Sequence, residues 1–267
     1  MFFGVVLVAT LIFFLIFGTP IAISVGLATI LAMLTAGDIS ALPAITQKMF
    51  TSIDSFPLLA LPLFTLSGEL MEISGISERL VKFLKMCFRK LPSASACITT
   101  IACTFFGAIS GSAPATAAAI GGIMIEPMKE AGYGADDAAA INSSSASLGI
   151  IIPPSIPMVV FATTASVSIG SLFMAGVVPG ILLTVSFCIM HIVRYRKIES
   201  PSVDRLSLKE AVQTFLDAIF ALGMPLIILG GIYGGFFTPT EAAAVSCIYS
   251  LIVGCFIYRT LTLKQIW

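Results

Sequence analysis

The sequence predicts an all-α polytopic membrane protein, and three observations carry that expectation. Hydrophobic residues make up 58% of the chain and charged residues only 10%. Mean hydropathy is +1.06. A soluble domain carries charge on roughly a quarter of its residues, so this chain could not cover a wet surface. The third observation is patterning: apolar runs of helical length alternate with short segments that hold most of the charge. Formal net charge is zero, so no bulk attraction to nucleic acid is implied. The partner that composition does imply is the lipid bilayer.

The elements follow in chain order. Residues 2–36 are apolar and interrupted at Gly18-Thr19-Pro20. Thr19 suits an N-cap and Pro20 a first turn, which gives one long kinked helix or two short ones. The N-terminus lacks a basic n-region, so it reads as a retained segment rather than a cleaved signal. Residues 37–55, with Asp38, Lys48 and Asp54, read as a connector. Residues 56–71 are apolar but short for a span, which suits a tilted or shielded helix. Ile76, Leu80, Phe83, Leu84 and Phe88 then recur at helical spacing beside Arg79, Lys82, Lys85, Arg89 and Lys90. That pattern predicts a helix in the membrane interface, its basic face toward anionic headgroups. The cations also mark that side as cytoplasmic. Arg194, Arg196, Lys197, Arg205 and Lys209 form a second basic cluster, so the chain must return to the same side.

Between the clusters lie two interruptions. Residues 93–128 form two small-residue arms joined at Ser110-Gly111-Ser112-Ala113-Pro114. Each arm is near 24 Å as helix, short of the roughly 30 Å hydrocarbon thickness. Charges flank only the outer ends. The reading is a re-entrant helical hairpin; the alternative is two short crossings with an external turn. Residues 129–140 read as an exposed loop that starts a helix near Ala135. The second interruption is NSSSASLGIIIPPSIPM, residues 142–158. Pro153, Pro154 and Pro157 remove amide donors and push the preceding residues out of helical geometry. The expectation is a helix over about 142–148, a break at Gly149–Pro153 and a second helix from Pro154. Irregular backbone at membrane depth is tolerated where protein buries it or where it lines a wet site. Freed carbonyls and serine hydroxyls are hard oxygen ligands suited to Na⁺, and a half-helix N-terminus suits a carboxylate. The hairpin tip, with Ser110, Gly111, Ser112 and Thr116, is the expected opposite wall. Alone, each serine is better explained as a hydrogen-bonding group between close helices.

Residues 171–193 read as a return span, 205–235 as an amphipathic piece running into an apolar helix, and 238–258 as a last span. FTPTEAAAV opens that span with Thr238 as N-cap, Pro239 at N1 and Glu241 at N3, a capping box that explains the glutamate structurally. An echo links 17–24 (FGTPIAIS) with 237–246 (FTPTEAAAVS), as though a second structural repeat began near 211 and stopped early. The six cysteines, Cys87, Cys97, Cys103, Cys188, Cys247 and Cys255, include no CxxC and read as free thiols. His191 sits three positions before Arg194, at the expected cytoplasmic interface.

Five long motifs resemble the large membrane subunit of TRAP transporters, the tripartite ATP-independent periplasmic carriers: 47–80, FGAISGSAPATAAAIGGIMIEPMKEAGY (106–133), LGIIIPPSIPMVVFA (148–162), LFMAGVVPGILL (172–183) and GGIYGGFFTPTEAAAV (230–245). The resemblance runs along essentially the whole chain. It implies an elevator-type fold, of which this chain is the first half of an inverted repeat with the second half mostly missing. It divides the chain into scaffold helices and a basic arm (1–92), a transport-domain hairpin and broken helix (93–170), a return span and basic loop (171–210) and the start of a second repeat (211–267). It implies Na⁺-coupled import of organic acids such as C4-dicarboxylates and sialic acids across the bacterial inner membrane. No further cofactor is implied, and the partners are a small four-helix membrane subunit and a periplasmic substrate-binding protein. Carried over by position, Ser110, Gly111, Ser112 and Thr116 match the family's first hairpin tip. Ser147, Gly149, Pro153 and Pro154 match its first broken helix. Ser112, Ser147 and Gly149 are the candidate Na⁺ ligands. Two rivals stay open: an intramembrane serine hydrolase using Ser110 or Ser112 with His191, and a non-transporting scaffold or channel. ATP is not implied, since no GxxxxGK[ST] loop occurs.

Overall fold

The computed structural model describes residues 2–37, 42–198 and 208–261. Asp38 and Arg205 lie outside the described residues. Among the described residues the secondary structure is helical throughout. The chain forms two compact units, ending and beginning at Ser55 and Phe56.

In the first unit, α1 (Phe2–Ile16) and α2 (Ile21–Thr35) pack against each other. The interruption at Gly18 thus makes two helices, with Gly18 turned at φ +73. Ser24, Ala28 and Ala32 are the buried residues of α2. Their spacing of four puts small side chains on one stripe, where a neighbouring helix can approach closely. Thr19 does not cap α2, contrary to expectation. Pro20 holds the cap position with no side-chain bond. The Thr19 hydroxyl turns back to the Phe14 carbonyl at 2.7 Å and meets the Ser24 hydroxyl at 2.6 Å. The expected connector is also corrected: Leu42–Ile53 is a helix, α3. Leu42, Ile45, Met49 and Ile53 recur at helical spacing, which the scattered charges conceal.

The second unit is built around α6 (Ala94–Ser110), most of which is buried. It packs against α4 (Ala60–Ile73), α5 (Ile76–Phe88), α7 (Ala113–Glu130), α8 (Ala135–Ala146) and α10 (Ile169–Arg194). Alanine, threonine, serine, cysteine and glycine make up most of α6, so its neighbours can reach its backbone. A short 3₁₀ turn, Phe56–Leu59, leads into α4. The basic helix α5 forms where its periodicity places it. Ile76, Leu80, Val81 and Leu84 are 2% exposed or less. Its apolar stripe is therefore spent on protein, against α6 and α11 (Leu208–Tyr233), rather than on lipid. Lys82 and Lys90 remain exposed. The Arg79 guanidinium instead stacks 3.8 Å from the centre of the Tyr258 ring and donates to the Gly75 carbonyl at 2.9 Å.

The chain closes with α12 (Pro239–Ile252) and a π turn, Val253–Ile257. The expected capping box is present: the Glu241 amide donates to the Thr238 hydroxyl, and the Thr238 amide to the Glu241 carboxylate at 2.7 Å. Among the described residues, four helices are long and apolar enough to cross a membrane: Phe56–Ile73, Ile169–Arg194, Lys209–Tyr233 and Pro239–Ile257. Shorter apolar helices include α6 and α9 (Ile156–Ala165). The fold is that of a multi-pass helical membrane protein.

Candidate functional site

The first wall of the site is the turn between α6 and α7. The Gly111 amide closes α6 by donating to the Gly107 carbonyl at 2.9 Å, with Gly111 left-handed at φ +62. Glycine reaches that region without the steric cost other residues meet. Ser112 then extends and caps α7, accepting from the Ala115 amide at 3.4 Å, with Pro114 in the first turn. The tip hydroxyls hold one another. The Thr116 hydroxyl donates to the Ser112 carbonyl at 2.7 Å, and the Ser110 and Thr116 hydroxyls lie 3.2 Å apart.

The second wall is the interruption between α8 and α9. Here the expected boundaries shift. Helix α8 runs from Ala135 to Ala146, then tightens to a 3₁₀ turn over Ser147–Ile150. The unwound segment is 151–155, two residues later than expected, and it contains a cis Pro153–Pro154 bond. The second helix begins at Ile156, not at Pro154. The physical reason is Ser155, which caps α9 by accepting from the Met158 amide at 3.4 Å. Its hydroxyl also donates to the Ile150 carbonyl at 2.7 Å, across the break. Among the described residues, none donates a hydrogen bond to the carbonyls of Ile151, Ile152, Pro153 or Pro154. Ile152, Pro153 and Pro154 are buried.

The two walls touch. The Ile156 amide donates to the Gly111 carbonyl at 3.1 Å. A Cβ on Gly107 would stand 2.4 Å from Gly149 Cα, so the two backbones are in direct contact. A Cβ on Gly149 would meet the Thr116 hydroxyl at 2.8 Å and the Ser112 carbonyl at 3.2 Å. A Cβ on Gly111 would meet the Pro154 carbonyl at 2.8 Å. Six of the eight expected residues are thereby brought together: Ser110, Gly111, Ser112, Thr116, Gly149 and Pro154. Pro153 is the buried neighbour of Pro154 in the unwound segment. Ser147 is not drawn in; its hydroxyl is bonded to the Ser144 carbonyl at 2.6 Å.

Several contributors escape the sequence reading. Ser155 and Ser112 stand in the same pattern, Ser-Ile-Pro at 155–157 and Ser-Ala-Pro at 112–114. In each, serine caps a helix whose first turn holds a proline. That pattern was the available signal for the true start of α9. The two helix starts are neighbours, since the Ile156 amide donates to the Gly111 carbonyl just before α7. Asn142 ties the walls further back: its amide nitrogen donates to the Ala117 carbonyl at 2.9 Å, and the residue is 4% exposed. The Thr100 and Ser145 hydroxyls pair at 2.8 Å between α6 and α8. A primary amide inside an apolar stretch was the signal for Asn142.

Chemically the site is backbone and hydroxyl. No cluster of three or more His, Cys, Asp or Glu suited to a metal exists among the described residues. His191 is buried, 1% exposed, and neither ring nitrogen has a hydrogen-bond partner among the described residues. A serine nucleophile needs its base within hydrogen-bond reach, and among the described residues neither Ser110 nor Ser112 has one. Hydroxyls, bare carbonyls and helix N-termini are the kinds of group from which ion-coupled carriers build their sites.

Comparison with known proteins places the chain in a family. The sequence profile of the family described as "Tripartite ATP-independent periplasmic transporter, DctM component" matches residues 8–267. The chain belongs to that family. The isethionate TRAP transporter permease protein DctMQ of Oleidesulfovibrio alaskensis is 44% identical over 251 residues, 93% of this chain and 39% of that protein. The C4-dicarboxylate TRAP transporter large permease protein DctM of Pseudomonas aeruginosa is 43% identical over 218 residues, 82% of this chain and 51% of its own length. The sialic acid TRAP transporter large permease protein SiaM of Vibrio cholerae is 36% identical over 247 residues, 92% and 58% respectively. The chain spans about half the length of the curated relatives it matches. These relatives are transporter permease components, not enzymes, so the hydrolase reading falls.

Proposed function

We propose that this chain supplies the hairpin and broken helix of a large TRAP permease subunit. In this reading the assembly is a Na⁺-coupled importer of an organic acid in the bacterial inner membrane. A periplasmic binding protein delivers the substrate, and a small four-helix subunit joins the scaffold. The site is carried across the bilayer by an elevator-type movement of a domain that contains both walls, with α6–α7 as a re-entrant hairpin.

The observation that carries the reading is the contact of the Gly111 turn with the unwound segment 151–155, through the Ile156–Gly111 bond of 3.1 Å. Four consecutive carbonyls without donors are costly in an apolar medium, on the order of several kcal/mol each by transfer to hydrocarbon. A bound cation repays that cost, and the paired N-termini of α7 and α9 suit the carboxylate of the substrate. Ser112 and Gly149 remain the proposed ligands on each wall, with the carbonyls of 151–154 added. Ser147 is the weaker candidate, since its hydroxyl already serves Ser144.

The test is uptake of labelled carboxylates into proteoliposomes by the full permease with its binding protein. Uptake should require an inward Na⁺ gradient. Ser112→Ala should raise the half-saturating Na⁺ concentration several-fold, about the worth of one ligand hydrogen bond or less, while Ser147→Ala should change it little. Uptake that ignores Na⁺ would defeat the coupling, and equal responses of the two variants would remove the tip from the ion site.

A further inference from the structure

The first unit holds a groove of about 610 Å³ between α2 and α3. Val25, Gly26 and Met33 line it on one side, and Ile45, Lys48 and Ser52 on the other. None of these residues is buried, so each can touch a guest. The stripe of α2 that carries Ser24, Ala28 and Ala32 is already packed. The stripe on the groove is not: a Cβ on Gly26 would meet nothing within 4 Å. Helix α3 has 12 residues and none of them is buried. A helix that short is marginal alone, so its apolar side needs a surface, and at Gly26 α2 does not supply one. An unfilled groove also forfeits the dispersion contacts of its walls.

The lining selects the guest. Lys48 is its one charged residue, exposed and without an ion-pair partner among the described residues. Ser52 stands one turn further along the same stripe of α3 and sets a hydroxyl beside it. The rest of the wall is mostly apolar. A guest must therefore be long and apolar, with an anionic group at one place. From Ala22 to Met33 the groove follows about 16 Å of helix. A helix is about 10 Å wide with its side chains, so that length of a partner helix needs on the order of 1,200 Å³, twice what the groove offers. An acyl chain is a single file of methylenes and is far thinner. A free phosphate would pair with Lys48 but leave the groove empty. We propose that the groove between α2 and α3 binds an anionic phospholipid, with its phosphate on Lys48 and Ser52 and an acyl chain along Val25, Gly26, Met33 and Ile45. The site is separate from the hairpin and the break, and does not depend on the transport reading.

The test is native mass spectrometry of the full-length permease complex with phosphatidylglycerol and with phosphatidylcholine, whose phosphate carries its own cation. Lys48→Gln should bind phosphatidylglycerol about fivefold more weakly than the wild type, the worth of one lysine at an anionic surface. Its retention of phosphatidylcholine should change little, and Lys48→Arg should keep both lipids. Gly26→Leu should lower retention of both, because the new side chain grows into the groove, while the Tm stays the same. Gly4→Leu is the control: a Cβ there also meets nothing within 4 Å, but Gly4 lies on α1, outside the groove. Phosphatidylglycerol binding unchanged in Lys48→Gln would overturn the proposal, as would wild-type retention by Gly26→Leu. A benzophenone side chain at position 26 should cross-link to lipid; cross-linking to a protein partner instead would overturn it too. Displacement of the lipid by glycerol 3-phosphate would assign Lys48 to a soluble phosphate, with the same result.

Discussion

Single glycines decide whether the two walls can meet. Gly107 permits a contact of backbone with backbone, since its missing Cβ would stand 2.4 Å from Gly149 Cα. Neither partner is a side chain that can swing away. Gly107→Ala is therefore expected to push the hairpin off the broken helix, costing about 1–3 kcal/mol as an overpacked core does. Thermal unfolding in detergent should register the loss as a lower Tm, with transport reduced alongside. Gly122 is the matched control. It lies within α7, and a Cβ there would meet nothing within 4 Å. Gly122→Ala should be neutral or stabilise by up to about 1 kcal/mol through helix propensity. A Gly107→Ala protein as stable as the Gly122→Ala protein would show that the close contact is not a constraint. At this scale the sequence was partly legible. Serine, glycine and proline in an apolar run announced exposed backbone, but which hydroxyl turns inward depends on helical phase. Ser147 falls on the phase that returns it to Ser144, and Ser155 on the phase that spans the break.

Helix termini show why element types were easier to read than their edges. Where a capping residue and a following proline agree, the boundary was legible: Thr238, Pro239 and Glu241 form the box their spacing implies. Thr19-Pro20 carries the same two letters without an acidic N3 residue, and there the threonine bonds backwards to Phe14 and α2 starts uncapped. The start of α9 was misplaced because prolines mark where a helix cannot run, whereas serine marks where it begins. Two outcomes follow for Ser155→Ala. Loss of the cap and of the bond to Ile150 should destabilise the α9 terminus by about 1–2 kcal/mol. Hydrogen exchange at Met158 and Val159 should accelerate accordingly, while exchange in α12 stays unchanged. Exchange at α9 that matches the wild type would mean that the tip, through Gly111, holds the helix start unaided. The basic helix α5 teaches the complementary point. Its amphipathic pattern was read correctly, but periodicity cannot say whether an apolar stripe meets lipid or protein. The deciding partner, α11, is more than a hundred residues away in the chain.

Across the whole molecule, the helical membrane class followed from composition, because charge on a tenth of the residues cannot clothe a soluble surface. The meeting of the tip with the break, about forty residues apart, was legible only through chemistry: bare backbone in hydrocarbon demands a polar neighbour, and the chain has few. What composition could not reveal is how rigidly the walls are joined behind the site. The Thr100–Ser145 pair at 2.8 Å and the Asn142–Ala117 bond at 2.9 Å fasten α8 to both arms of the hairpin. An elevator movement requires hairpin and broken helix to travel as one body, and these buried bonds are what would hold them so. Cysteines at 100 and 145, in a background without the native thiols, should therefore cross-link under mild oxidant, the two side chains being in contact already. Sodium-driven uptake by the full permease should persist in the cross-linked form, at a rate within about twofold of the reduced protein if the joined elements never separate. A cross-link that abolishes uptake, with recovery on reduction, would mean that α6 and α8 part during each cycle. The substrate would then pass by local opening between the walls rather than by carriage of an intact site.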